Sequence, residues 1–346
     1  MMIDCTPLSV GGGIQVALAL LDGLARQAPD DPEQLRWSAV VSPGLYRLLS
    51  PQVAARKEAL FVVEKTSALD KARAAIALRR IERKLRPDLV FTVFGPSYFI
   101  ARAPHLVGFA LPHMIYDPDP EIDPEGFGRH SLSDVFAAIF RRATHLVVET
   151  QTVRDRLAAR LGVGAERISV IGNAVNPRLA EFSPSPPPSA GPFRFLIPSA
   201  YYPHKNLEIV PQVAAAMRRL APDLDTRFVL TLPGAEAPWR KIAEGAQALG
   251  VADAVVTLGT LTLAALARAY GESHAVFLPT IREASTAVYP ESFYFRSPFV
   301  TSDLDFAREL CGEAALYAPT RAAEPTARAL IALARDAGFR ERQLDA

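Results

Sequence analysis

The sequence predicts an α/β protein of two doubly wound, Rossmann-like parallel-sheet domains facing each other across a cleft. Three observations carry this expectation. Short, near-continuous apolar runs alternate with helical patterns along the whole chain, as parallel strands covered on both faces require. A proline-rich break, Phe182-Ser-Pro-Ser-Pro-Pro-Pro-Ser-Ala-Gly-Pro192, separates two such series and reads as a linker or exposed loop. At 346 residues the chain is also long for one domain and sufficient for two. The expected domains are residues 1–178 and 179–346. A ligand held between their facing strand ends would touch both.

Composition narrows the function classes. The formal net charge of +1 gives no whole-chain reason to expect nucleic-acid binding. Cys5 and Cys311 are the sole cysteines and lie at opposite ends of the chain, which argues against a disulfide framework or a zinc site and fits a reducing compartment. The N-terminus lacks a signal-peptide pattern, and no segment reaches the roughly 20 apolar residues that span a bilayer. A cytoplasmic protein, peripheral at most to the inner face of the cell membrane, is expected.

In chain order, Met2 to Val10 is a short, imperfect strand leading into Gly11-Gly12-Gly13. The helix Ile14 to Gln27 follows at once, with Val16, Ala17, Leu20, Leu21 and Leu24 at helical spacing. Glycines there leave the first amides open to a phosphate or sugar, or simply permit a tight turn. Their spacing is not that of a dinucleotide fingerprint. Strands are expected at Ser38–Val41, Phe61–Val63, Leu89–Phe94, Leu106–Leu111, Leu146–Val148 and Ile168–Val175, with a long helix from Leu69 to Leu85.

Ligands of such sheets bind at the carboxyl ends of strands, which here carry Gly95-Pro-Ser97, Pro112-His113 and Glu149-Thr150. His113, in a polar loop, could donate to a sugar oxygen or simply pack. The cluster Arg79, Arg80, Arg83, Lys84 and Arg86 suits contact with an anionic membrane and equally suits a solvated helix face. Asp117-Pro-Asp119 has the spacing of a metal pair but no histidine or third clustered ligand, so no metal is expected.

The second series runs Phe193–Ile197, Arg227–Leu232, Val255–Leu258 and Ala275–Leu278, ending near Phe299-Val300. After Ala275–Leu278 comes a loop, Pro279 to Thr286, then a helix with Pro290 in its first turn, where the missing N–H is harmless. Glu283 therefore falls in the loop and Glu291 in the helix. A loop carboxylate accepts sugar hydroxyls, while amides near Ala284, Ser285 and Thr286 favour an anion such as pyrophosphate. Together they suit a nucleotide sugar, although two glutamates eight apart also arise by chance.

Several pieces in collinear order then match one family. They are Gly11-Gly-Gly-Ile-Gln-Val-Ala17, Val147-Val-Glu-Thr150, Ile168-Ser-Val-Ile-Gly-Asn-Ala-Val175, Pro203-His-Lys-Asn-Leu207, Leu258-Gly259, the Glu283 to Glu291 pair, Pro298-Phe-Val-Thr-Ser-Asp303 and Cys311-Gly-Glu-Ala-Ala-Leu-Tyr317. The chain resembles the retaining glycosyltransferases of family four, which have the GT-B architecture. The resemblance implies that Glu283 binds donor-sugar hydroxyls, Glu291 the nucleotide ribose, and Lys205 the diphosphate as it leaves. It places Asn206, Ala284, Ser285 and Thr286 in the same donor site, Gly12 and Gly13 near the donor phosphate or acceptor, and His113 near the reacting sugar.

It further implies a nucleotide-sugar donor, a glycan or lipid-linked acceptor in surface polysaccharide assembly, front-face displacement with retention, and neither metal nor other cofactor. Two departures stand out. Ala200 occupies the position of the family's usual arginine, five residues before Lys205, and the chain stops soon after the helix Ala322 to Asp336, without the family's long final helices. A sugar-nucleotide 2-epimerase on the same fold, and an inactive homologue acting as a binding protein, are the alternative expectations.

Overall fold

The computed structural model describes residues 1–8, 11–27, 35–64, 68–117, 119 and 126–346. Ser9 and Val10 of the expected first strand, and Pro118 and Pro120 of the acidic loop, lie outside them. The chain forms two compact units, Met1–Gly172 and Asn173–Ala346.

The first unit is built from β1 (Met2–Asp4), α1 (Gly12–Arg26), β2 (Ser38–Val41), α2 (Pro43–Tyr46), α3 (Pro51–Ala54), β3 (Leu60–Val62), α4 (Ala68–Leu85), β4 (Val90–Thr92), β5 (His105–Gly108), α5 (Gly126–Arg141), β6 (His145–Val148), α6 (Gln151–Leu161) and β7 (Ile168–Val170). Its seven strands run parallel in the order β3-β2-β1-β4-β5-β6-β7. Buried Ala17, Leu18, Leu21 and Leu24 of α1 pack with Ile3, Ala39 and Val41, while Ala74 and Leu78 of α4 pack with Met2, Val40 and Val90. Helical spacing on one side and buried strands on the other thus generate the layers read from the sequence.

The second unit contains β8 (Phe193–Ile197), α7 (Val210–Leu220), β9 (Thr226–Leu230), α8 (Ala237–Ala248), β10 (Val255–Thr257), α9 (Leu263–Gly271), β11 (Ala275–Leu278), α10 (Val288–Tyr294), β12 (Phe299–Ser302), α11 (Asp305–Cys311), β13 (Leu316–Ala318), α12 (Ala323–Arg335) and α13 (Ala337–Asp345). Its strands are all parallel, in the order β10-β9-β8-β11-β12-β13. Phe195, Phe228 and Phe277 form the aromatic centre of the core, with ring centroids 5.4 and 6.2 Å apart. Val210, Val213 and Met217 of α7 and Leu330 and Leu333 of α12 close over it.

One feature corrects the expectations and a second adds to them. The sheet does not end at Phe299-Val300: a sixth strand, β13, pairs with β12 through Val300–Leu316, Thr301–Tyr317 and Ser302–Ala318. A final helix, α13, also follows α12. The Asp336 side chain caps it by accepting from Phe339 N at 2.8 Å, Arg340 stacks over Phe193, and Gln343 Nε2 donates to Phe299 O at 3.4 Å. The proline-rich segment has no regular structure, yet it is tied to the second unit. Tyr294 Oη donates to the carbonyls of Ala180 (2.6 Å) and Phe182 (3.1 Å), and His274 Nε2 donates to Pro188 O at 2.9 Å.

In the second unit the chain steps outward from β8 through β9 to β10, then returns to place β11 on the other side of β8. The loops leaving β8 and β11 therefore diverge from one switch point, where open α/β sheets hold their ligands.

Candidate functional site

The loop after β8 descends into a 3-10 turn, Pro203–Lys205, closed by Asn206 in the left-handed region with φ of 54°. Asparagine tolerates this conformation better than most residues. Its side chain then locks neighbouring loops together, since Asn206 Nδ2 donates to Pro279 O at 3.3 Å and Thr320 O at 2.8 Å. The loop after β11 answers through its backbone: Ile281 N donates to His204 O at 2.9 Å. Thr280 Oγ1 lies 3.1 Å from both His204 O and Glu283 Oε1.

These contacts set Lys205 against Glu283. Their side chains form an ion pair, Nζ to Oε1, with only 14% and 6% of their surfaces exposed. The family resemblance implies separate tasks for the two residues, whereas the fold makes each the other's counter-charge. A buried pair of this kind holds its charges only with further hydrogen bonds, and Thr280 supplies one.

Along the same loop Arg282, Glu283 and Ala284 are buried. Thr286 accepts from Val288 N at 3.4 Å and so helps open α10. Ser285 differs: its hydroxyl oxygen is buried and makes no hydrogen bond among the described residues. A buried hydroxyl left so is unfavourable by roughly 1–3 kcal/mol, a deficit that a ligand's polar group or water would remove. Ala200 is exposed at the end of β8.

Glu291 sits in the first turn of α10, 8% exposed. Burial raises its pKa from 4.5 to about 7, against the opposing effect of a hydrogen bond from Tyr270. Tyr270 Oη donates to Glu291 Oε2 at 2.9 Å, and its ring stacks on Phe295 with centroids 4.8 Å apart. Burial, followed by the neighbouring carboxylate, pushes the Tyr270 phenol well above its ordinary value, so it remains a donor. Sequence reading did not find Tyr270. The helical spacing of α9 marks it only as a core residue.

In the first unit, Gly11, Gly12 and Gly13 follow β1 and His113 follows β5, all at the carboxyl edge of that sheet. Gly11 has φ of 74° and supplies the turn, while a Cβ at Gly13 would approach Leu8 Cδ2 to 3.0 Å. Gly12 opens onto free space, with nothing within 4 Å of such a Cβ. Gly11, absent from the sequence-based candidates, is thus the glycine the backbone demands. His113 lies half-buried in the 3-10 turn Pro112–Met114.

The structure therefore sets Lys205, Asn206, Glu283, Ala284, Ser285 and Thr286 on the loops of the second unit's switch point and Glu291 in the helix that follows them, and leaves Gly12, Gly13 and His113 in the first unit. Among the described residues no group of three or more His, Cys, Asp or Glu side chains could hold a metal ion. No helix among them is long and apolar enough to cross a membrane.

Solved structures share this fold over almost the whole chain. HepE of Anabaena in complex with UDP-glucose superposes with a TM-score of 0.72 at 16% identity, covering 99% of this chain and 93% of that one. A glycosyltransferase of Rickettsia africae gives 0.70 at 16% identity, covering 99% and 92%. Sucrose-phosphate synthase of Thermosynechococcus elongatus gives 0.69 at 16% identity, covering 99% and 93%. At such identities the likeness establishes the fold, a GT-B-type pair of Rossmann-like units. None of the proteins with curated descriptions matches the sequence significantly. Family models match both units: Glycosyltransferase Family 4 over residues 10–179, and Glycosyl transferases group 1 over residues 192–336. With most of its length matched in the family's order and the family's fold observed, the chain belongs to the family 4 glycosyltransferases.

Proposed function

We propose that the protein transfers a sugar from a nucleoside-diphosphate sugar to a glycan or lipid-linked acceptor, with retention, in surface polysaccharide assembly. The observation that carries the donor half is the Lys205–Glu283 pair at the second unit's switch point. A fixed ammonium there is a point charge for a diphosphate, and it acts most strongly on the leaving group, whose charge grows as the glycosidic bond breaks. Glu283 keeps the ammonium in place and accepts hydroxyls of the donor sugar. Glu291, steadied by Tyr270, accepts the ribose hydroxyls, and the unpartnered Ser285 hydroxyl meets a polar group of the donor.

The acceptor oxygen attacks C1 on the face the nucleotide leaves. Its proton passes to the departing phosphate, so no protein nucleophile and no metal enter the step. Gly12, Gly13 and His113 of the first unit serve the acceptor and the reacting sugar. HepE holds UDP-glucose, which makes a uridine diphosphate sugar the first donor to try.

Product analysis tests the reading. Wild type incubated with the donor alone should leave it intact apart from slow hydrolysis, and added acceptor should yield a glycoside of retained configuration. Conversion of the donor alone into an epimer would replace transfer with epimerisation. Donor binding with no turnover on any acceptor tried would favour a binding protein, with Ala200 as the missing cation.

A further inference from the structure

Four neighbouring strands of the second sheet, β8, β11, β12 and β13, run parallel and so end on the same edge. Their ends carry hydroxyls that reach the Lys205–Glu283 pair. Thr280 follows β11, Ser302 closes β12 and Thr320 follows β13, and all three are buried. Hydroxyls are held so only when they have partners.

The partners form one circuit. Thr320 Oγ1 and Ser302 Oγ are 2.8 Å apart, and Ser302 Oγ also meets the carbonyl of Thr280. A carbonyl only accepts, so Ser302 gives its single hydrogen to Thr280 O, and Thr320 is the donor to Ser302. Thr280 Oγ1 shares its own hydrogen between His204 O and Glu283 Oε1, each 3.1 Å away, and Glu283 holds the Lys205 ammonium. Asn206, next in sequence to Lys205, closes the circuit by donating to Thr320 O at 2.8 Å.

Both members of the ion pair are thus anchored, Lys205 through the backbone of Asn206 and Glu283 through Thr280. Neither anchor alone fixes the ammonium, because a lysine has a flexible four-carbon stem and its head pairs with a carboxylate in many orientations. A group acting on a reacting centre must be held within about 0.5 Å, and an error of about 1 Å can lower the rate 100-fold.

We propose that Ser302 and Thr320 are positioning residues of sugar transfer. Their hydroxyls close the circuit that aims the Lys205 ammonium at the departing diphosphate, and, being buried, they act without touching the donor. The inference rests on the donor site proposed above and assigns the residues that set its geometry.

Labelling the full chain with acetic anhydride tests the circuit without any ligand. In wild type Lys205, half-buried and ion-paired, should react far more slowly than exposed Lys241, as read by peptide mass spectrometry. Thr320→Val, which keeps the shape and deletes the hydroxyl, should speed labelling of Lys205 about 5–10-fold, and Thr320→Ser should restore the wild-type rate. Thr326→Val deletes a buried hydroxyl outside the circuit, one that donates to Pro319 O at 3.2 Å, and should lower the melting temperature as much while leaving Lys205 unchanged. Equal labelling of Lys205 in Thr320→Val and wild type, or an equal rise in Thr326→Val, overturns the proposal.

For the reaction, nucleotide release is followed from whichever of UDP-glucose, GDP-mannose and ADP-glucose wild type uses. Thr320→Val and Ser302→Ala should each lower kcat about 10-fold with KM within about twofold, and the double variant should lose no more than either, because one break opens the circuit. Losses that multiply, or a loss confined to KM, would also overturn the proposal. No release from any of the three donors by wild type would remove the donor reading and with it the catalytic role, while the labelling would still decide whether the circuit holds Lys205.

Discussion

Tyr270 and Glu291, 21 residues apart, meet through a 2.9 Å hydrogen bond in which the phenol donates to a carboxylate otherwise shut away from water. Burial, only partly offset by this bond, raises the Glu291 pKa to about 7, which places its titration near neutral pH. A ligand hydroxyl donating to the ionised form would draw the equilibrium toward the carboxylate.

Nucleotide binding should therefore expel a proton. Affinity for the donor nucleotide should rise as pH goes from 6 to 8, and calorimetry in two buffers of different ionisation enthalpy should report release of up to about half a proton near pH 7. Binding indifferent to pH across this window would detach Glu291 from the ribose.

Stability should carry the opposite slope. The folded-state pKa of about 7 exceeds the ordinary 4.5, so the folded protein holds this proton more tightly than the unfolded chain does. The penalty is absent below about pH 4.5, grows as pH rises, and is complete above pH 7, where it amounts to roughly 3 kcal/mol. Glu291→Gln should remove this term, gaining stability relative to wild type at pH 8 and little at pH 4.5, while losing nucleotide affinity. Denaturant titrations at the two pH values check the sign.

Lys205 and Glu283 should separate stability from chemistry. Removing either partner leaves the other charge buried, so Lys205→Ala or Glu283→Ala should destabilise by about 3–5 kcal/mol. Lys205→Met/Glu283→Gln removes both charges and should recover much of that loss, yet transfer should stay depressed at least 100-fold. Recovery of turnover alongside stability would make the pair purely structural.

Ser285→Ala should be at least as stable as wild type, because it deletes a buried hydroxyl with no partner among the described residues. Donor affinity should nevertheless fall about 5–10-fold, read by calorimetry. An unchanged Kd would mean that the hydroxyl does not face the donor.

The two thiols should be inert in the folded protein. Burial pushes both Cys5 and Cys311 far above the ordinary thiol value, so neither supplies thiolate at neutral pH. A colourimetric thiol reagent should count none natively and two in denaturant, and a rapidly reacting native thiol would contradict this.

Much of this architecture was legible because buried parallel strands write themselves as unbroken apolar runs. Ala275–Leu278 emerges with the expected boundaries, and all four of its residues are buried. Leu316–Ala318 escaped because three residues, two of them half-buried, make no such run. The loop position of Glu283 and the helical position of Glu291 followed from Pro279 and Pro290. Their partners did not follow. Lys205 is 78 residues from Glu283, and only the crossover that seats β11 beside β8 brings their loops together. Tyr270 is not singled out by the sequence, because an aromatic at helical spacing reads the same whether its hydroxyl has a partner or not. Gly11 alone of the three glycines has a positive φ, which three identical letters in the sequence do not show.

The central claim is a nucleotide-sugar donor site on the loops after β8 and β11. Calorimetric titration of the full chain with UDP, GDP, ADP, dTDP and CMP, in parallel with Lys205→Met/Glu283→Gln, tests it most directly. The account predicts saturable one-site binding of one nucleoside diphosphate to wild type, at least tenfold weaker in the folded double variant. Equal affinity in the two proteins, or no binding of any nucleotide to wild type, would contradict it.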